Sequence, residues 1–447
     1  FANRYPENGK SSYSESETRA ASFYLNGGYA YDNRYLLDFN YRSDGASMFG
    51  TNNRFRNTWS VGIGWNLHNE AFFQAKDWFQ LLKLRTSIGN PGNQNFSAYQ
   101  AFTTYTFNTD MTNIFGSGLV INALGNKNLA WQETINWNVG ADITTWNNRL
   151  NIIFDWYKKI TDPLLALITT PGSMGVKSVA MNAGQQKTTG VEVTLKVSPI
   201  YKPQERINWN ISLNGTHAKA QYAKIGNAFS SLNDEQKASL AGTTRYYDGG
   251  SPTAIWAVRS AGIDPATGKE IFLTKDGRRT FTYDYENEVL VGDTRPDLEG
   301  VFGNVLYFKG LSASIYFRYS FGADAFNSTL YNKVENISRE GLQKNQDKRA
   351  LYDRWKEPGD KARFKGIALT DVTQMSSRFV QKNNFVNFNS LSLSYDFNRE
   401  LIRRVGLSTL KLQFNMKDID TWSTIKQEMG LSYPFARTFT FTLNASF

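Results

Sequence analysis

His68 and His217 are the only imidazoles in the chain, and cysteine is absent. A thiol nucleophile, a disulfide framework and a cysteine-held metal are therefore excluded. The two histidines stand far apart and form no HExxH pair, and no nucleophile elbow or phosphate-cradling loop occurs. Asp264-Pro-Ala-Thr-Gly268 and Lys275-Asp-Gly277 lack the spaced carboxylates of a calcium loop. With Asp44-Gly45 and Asp248-Gly249, they read as turns. No metal, cofactor or catalytic constellation is implied, so the chain is not expected to be an enzyme.

What remains is recognition chemistry. Sugars stack on aromatic faces flanked by amides and carboxylates. Trp131, Tyr246, Tyr247, Asp248, Trp256 and Trp355 are of that type and lie between regular segments. Loop packing is the simpler role for each.

The elements that must carry these residues announce themselves at the C-terminus. In Arg437-Thr-Phe-Thr-Phe-Thr-Leu-Asn-Ala-Ser-Phe447, Phe439, Phe441, Leu443 and Phe447 alternate with polar residues. Period two is strand geometry with one apolar and one polar face. The pattern recurs in Ile135, Trp137, Val139, Ala141 and Ile143, and again in Leu311, Ala313, Ile315, Phe317 and Tyr319. It predicts strands at 17–31, 34–44, 57–67, 82–90, 132–145, 148–160, 188–198, 205–218, 298–308, 311–321, 384–397, 407–417 and 436–447. These segments are about twice as long as ordinary strands, the length a tilted strand needs to cross a bilayer.

Composition agrees. Aromatic residues make up 15% of the chain, yet mean hydropathy is only −0.47. Few large rings on a polar background suit a wall with one lipid face and one wet face. Trp59, Trp65, Trp137, Trp156, Phe397 and Phe447 sit near strand ends, as in an interfacial girdle. The lumen-facing set includes Lys83, Arg85, Lys196, Arg318 and Lys411, which suit an anionic solute, or solvated wall charge. Net charge is +10, but Lys and Arg are scattered without a basic run, which speaks against nucleic acid.

Short and long connections alternate from end to end, the asymmetry of an outer-membrane barrel. Thirteen is an odd count, and antiparallel closure needs an even one. The expectation is an all-β chain forming the C-terminal part of a transmembrane antiparallel barrel of about 22 strands. Its earlier strands and plug would lie outside residues 1–447. The chain starts at Phe1 without a signal peptide, so a processed precursor or a piece of a longer chain is expected.

Several stretches resemble one family. Arg34-Tyr-Leu-Leu-Asp-Phe-Asn-Tyr-Arg-Ser-Asp-Gly-Ala-Ser-Met-Phe49 with Asn53-Arg54 is similar to the "YLL…RDGSSRFG…NRW" hairpin of SusC-like TonB-dependent outer-membrane transporters of Bacteroidetes. Leu82-Lys-Leu-Arg-Thr-Ser-Ile-Gly89 followed by Gly92-Asn93-Gln94 resembles "LKLRASYGVTGNQ". Gly190-Val-Glu192, Arg295-Pro-Asp297 and the closing Arg437-Thr-Phe-Thr-Phe441 match further signatures in order. An "FDPE"-like segment between Met416 and Tyr433 is missing.

The resemblance implies import of an oligosaccharide, or alternatively a peptide. It implies a SusD-like lipoprotein lid over the barrel and a TonB complex acting on the absent N-terminal part. It also implies contact with the lipid bilayer and lipopolysaccharide. Phe439, Phe441, Leu443 and Phe447 would be the signal read by the barrel-assembly machinery. A passive porin-type channel and a structural barrel component of a larger outer-membrane complex are the alternatives.

Overall fold

The computed structural model describes residues 15, 17–47, 55–91, 102–114, 116–130, 132–170, 174–176, 178–238, 244–338, 340–343, 346–366, 372–404, 406–426 and 437–447. Thirteen strands form one antiparallel sheet in sequence order. They are β1 (Ala20–Tyr31), β2 (Tyr35–Ala46), β3 (Phe55–Asn66), β4 (Phe79–Asn90), β5 (Thr134–Thr145), β6 (Leu150–Thr161) and β7 (Gln185–Lys202). Then follow β8 (Ile207–Ala223), β9 (Leu298–Phe308), β10 (Leu311–Phe321), β11 (Phe385–Asp396), β12 (Thr409–Ser423) and β13 (Phe439–Ser446). Each predicted strand is present. β7 and β8 extend past the predicted limits at the outer end, through 185–187 and 219–223, and β7 also runs on through 199–202 at the turn end.

The register turns the sequence pattern into two surfaces. One cross-strand row runs Trp209, Leu306, Ala313, Leu393, Phe414, Phe441 from β8 to β13. The row one residue away runs Asn208, Tyr307, Ser312, Ser394, Gln413, Thr442. A one-residue step exchanges grease for amides and hydroxyls, which fixes the register wherever the two faces meet different media. The apolar face is open: Trp137 is 50% exposed, Ile63 54% and Phe441 74%. Exposed large side chains in a continuous band are the outer surface of a membrane wall. Among the described residues, no helix is long and apolar enough to cross a membrane.

One end of the sheet has tight connections. Asp32 and Asn33 both have positive φ, 50° and 52°, as do Lys309 at 49° and Gly310 at 102°. Left-handed pairs of this kind match the twist of a hairpin. Glu70 pins two turns at this end. It accepts from Trp65 Nε1 at 2.8 Å and from Arg34 Nη1 at 3.4 Å. Hydrogen bonds from Tyr35 and Trp65 hold its carboxyl below the usual glutamate range.

The other end carries the long connections, which contain short strands and helices of their own. Two hairpins, Thr104–Asn113 with Gly116–Ala123 and Leu165–Thr169 with Ser178–Asn182, fold back in pairs and so preserve the up-down order. Asp44-Gly45 is a correction. It lies inside β2, opposite Ser22 and Ala21, and makes no turn. The Asp44 carboxylate instead accepts from Ser22 Oγ at 2.5 Å and Arg42 Nε at 2.7 Å.

On the polar face, glycine makes room for charge. Arg85, Gly140, Asp155 and Glu192 form one row. Arg85 reaches across Gly140 to Asp155 at 2.6 Å and also meets Asp142 at 3.1 Å. A Cβ on Gly140 would lie 2.8 Å from both the guanidinium carbon and the Asp155 carboxylate. We expect Gly140→Leu to lower barrel stability by about 1–3 kcal/mol, the cost of overpacking. Gly27→Ala, where a Cβ meets nothing within 4 Å, should be neutral. Heat-modifiable migration of the two variants on denaturing gels checks this; equal shifts would remove the close-approach argument.

Candidate functional site

The described residues of 224–297 and 322–384, at the long-loop end, fold into a head. Its first half is a four-stranded antiparallel sheet with Ala254–Ile263 between Glu270–Leu273 and Glu288–Asp293, and Arg279–Thr280 at the edge. Its second half packs a core of Leu330, Val334, Ala350, Phe364 and Phe379. Phe326, Tyr331 and Phe379 form a cluster of rings 5.1–5.9 Å apart.

Arg378 joins the halves. Its guanidinium donates to Glu270 at 2.8 Å from the first loop and to Glu335 at 2.8 Å from the second. Ser376 Oγ donates to Glu270 at 2.5 Å and Thr373 Oγ1 to Glu335 at 2.8 Å. Burial works against the Arg378 charge, but these bonds outweigh it and hold its pKa above the ordinary arginine value. Arg354, also buried, donates to the carbonyls of Ala350 at 2.7 Å, Lys365 at 3.0 Å and Glu335 at 3.0 Å, and to that of Val334. Burial lowers its pKa. A second buried pair, Arg245 with Glu288 at 2.7 and 3.0 Å, is bidentate. Burial pushes the Glu288 carboxyl up, with Arg245 opposing.

Beside the Arg378 junction lies a cavity of about 760 Å³, open to the exterior. Phe272, Phe281, Tyr283, Leu351, Trp355 and Val372 supply apolar wall, and Glu270 and Arg354 reach its floor. Tyr283 stacks edge-on against Phe272 at 5.3 Å, and burial drives its phenol pKa upward. The volume and the largely apolar lining are those of a small-ligand pocket. Trp355 is fixed there by its Nε1 bond to Pro265 O at 2.9 Å. Gly268, at φ +68°, lies so close that a Cβ would stand 2.5 Å from the indole.

Of the residues singled out from sequence, Trp355 lines this cavity. The others are placed elsewhere in the head. Tyr247 and Trp256 pack on each other at 5.0 Å. Tyr246 packs on Tyr222 and Phe229, at 5.3 and 5.1 Å. Asp248 sits in a turn with Gly249 and accepts from Ile225 N at 2.9 Å. Trp131 lies outside the described residues. The Asp264 and Lys275 segments are turns, with Thr267 Oγ1 donating to Asp264 at 2.6 Å. His68 accepts from Leu82 N at 3.3 Å if Nδ1 is unprotonated, and His217 Nδ1 lies 2.6 Å from Asp297 O. Of the wall cations, Arg318 meets Glu299 at 3.9 Å and Lys411 meets Asp396 at 3.8 Å. Sequence reasoning missed Glu270, Glu335 and Arg378, which have no local signature and meet only through the fold.

A lipid-faced antiparallel wall with tight turns at one end and a folded head at the other defines an outer-membrane barrel protein. The family described as TonB dependent receptor-like, beta-barrel, matches residues 1–336, and the chain belongs to it. The chain is 24% identical to TonB-dependent receptor P39 of Formosa agariphila, over 89% of this chain and 42% of that protein. It is 26% identical to TonB-dependent receptor SusC of Bacteroides thetaiotaomicron, over 83% of this chain and 37% of that protein. A structure of the RagAB peptide transporter superimposes with a TM-score of 0.82 and 25% identity, over 96% of this chain and 47% of that one. The chain thus spans less than half the length of the relatives it matches.

Replacing Arg378 leaves two buried carboxylates facing each other. We expect Arg378→Ala to destabilise the head by about 3–5 kcal/mol, as for a broken buried ion pair, while the strands stay folded. Limited proteolysis of the whole protein in detergent should cut within 224–297 and 322–384 first. Unchanged protection of those loops would mean that the core alone holds them.

Proposed function

We propose that this chain is the C-terminal part of the barrel of an outer-membrane importer. Its remaining strands and a plug come from sequence outside residues 1–447. Energy reaches the plug from a TonB complex, and a SusD-like surface lipoprotein covers the head. The observation that carries this reading is the superposition of the sheet and head on the RagAB transporter over 96% of the chain. The open sheet supports the missing strands: among the described residues, β1 pairs only with β2, and β13 only with β12.

The nutrient is an oligosaccharide or a peptide, and the cavity favours the peptide. Neutral sugars are held by carboxylates and amides that accept from their hydroxyls. Here Glu270 is already bonded to Ser376 and Arg378, and Thr373 to Glu335. The walls set aliphatic and aromatic groups suited to amino-acid side chains beside the polar Lys269, Lys356, Thr373 and Gln374.

Uptake of labelled peptides and oligosaccharides by cells carrying the whole protein tests both statements. Peptide uptake should stop when an uncoupler dissipates the proton-motive force and when the lid lipoprotein is deleted. Trp355→Ala should weaken peptide binding by roughly tenfold or more, the effect of truncating a buried aromatic anchor. Uptake that persists without proton-motive force, with steady conductance in planar bilayers, would make the protein a passive pore. Uptake of oligosaccharide alone would overturn the peptide assignment.

A further inference from the structure

The outward face of the sheet has a concentration of charge at one place. β6, β7 and β8 carry Lys158, Lys187 and Lys219 at their loop ends. Lys158 and Lys219 lie directly on either side of Thr189 in the register, and Lys187 is the next outward residue of β7. This is the lipid face: Trp137 is opposite Lys158, and the adjoining row is Val139, Trp156, Val191, His217. On β2 to β5 the charges Asp38, Arg42, Arg56, Lys83, Arg85 and Asp142 have the opposite parity.

Three ammonium groups on neighbouring strands repel one another, and more so at a lipid boundary than in water. Among the described residues, no internal counter-charge faces them. The two rows contain no carboxylate, and among the described residues none of the three lysines makes an ion pair. Asp162, just past β6, is engaged by Lys224 Nζ at 2.7 Å and Gln185 Nε2 at 2.6 Å. Tryptophan beside lysine marks the headgroup level of a bilayer, with the apolar row reaching toward the acyl chains.

We infer that Lys158, Lys187 and Lys219 form a binding site for a phosphate-bearing headgroup of an outer-leaflet lipid. Lysine is a point-charge partner for phosphate, and three such groups on a rigid sheet present a fixed anion site. Trp137 and Trp156 flank it where the glycerol or sugar backbone and the first acyl carbons would lie.

The test uses the whole protein in nanodiscs of phosphatidylcholine, with and without phosphorylated lipid A. Native mass spectrometry should show lipid A retained by the wild type. Retention should drop at least about tenfold in the triple variant Lys158→Gln, Lys187→Gln, Lys219→Gln. Lys202→Gln, on the same strand at the turn end, should retain it, and so should the triple change to Arg. If the glutamine triple does not fold, the three single variants should each lower retention. Equal retention in wild type and triple, or displacement of lipid A by inorganic phosphate at matched concentration, would overturn the lipid site. A wild type that enters neither nanodisc would instead overturn the assignment of the lipid face.

Discussion

A strand in hydrocarbon has no water to pair its backbone, so each N–H and C=O must find another strand. Much else in this structure follows from that requirement. It makes the sheet antiparallel and continuous, sends the connections alternately to two ends, and gives each strand one face for lipid and one for the interior. β1 shows the requirement unmet: all 12 of its residues are exposed, and its outer edge pairs with nothing among the described residues. Such an edge is an association site by default. In the proposed importer, further strands would cover it.

The interior face has a different problem, which is to hold large polar side chains on a closely spaced sheet. Glycine solves it by close approach rather than by unusual backbone angles. Arg85 bridges Gly140 to Asp155, and Tyr316 lies over Gly303, where a Cβ would stand 2.8 Å from the ring. Each absent side chain creates a slot that a neighbour on the adjacent strand fills. The wall is therefore packed by pairs, and Arg42, Arg85, Arg318 and Lys411 meet carboxylates of the same face.

This division explains what the sequence could reveal. Strand positions were legible because lipid on one side and polar surroundings on the other impose period two on residues that are adjacent in sequence. The rule failed where neither medium is uniform. The outer end of β7, 185–187, is polar on both faces, and Asp44-Gly45 carries a turn signature inside a strand because Asp44 pairs with Arg42 and Ser22. The head was not legible for a related reason. Its sheet is built of short strands without sustained alternation, and its central ion cluster joins Arg378 to Glu270 across 108 positions. Aromatic loop residues could be recognised as a type, but only the fold separates Trp355, which lines the cavity, from Tyr247 and Trp256, which pack on each other.

Charge has three environments here, and its partners differ in each. On the interior wall, Arg85 is matched by two carboxylates. In the head, Arg378 and its two glutamates are buried together, where an ion cluster orders the loops around it more than it attracts ligand. That leaves the cavity beside it to select by shape and apolar contact. On the lipid face, Lys158, Lys187 and Lys219 have no carboxylate in their rows. In the proposed site, these three like charges take their counter-ion from the bilayer surface. The lipid then acts as part of the wall's structure, because the sheet is most stable in a leaflet that supplies the missing anion.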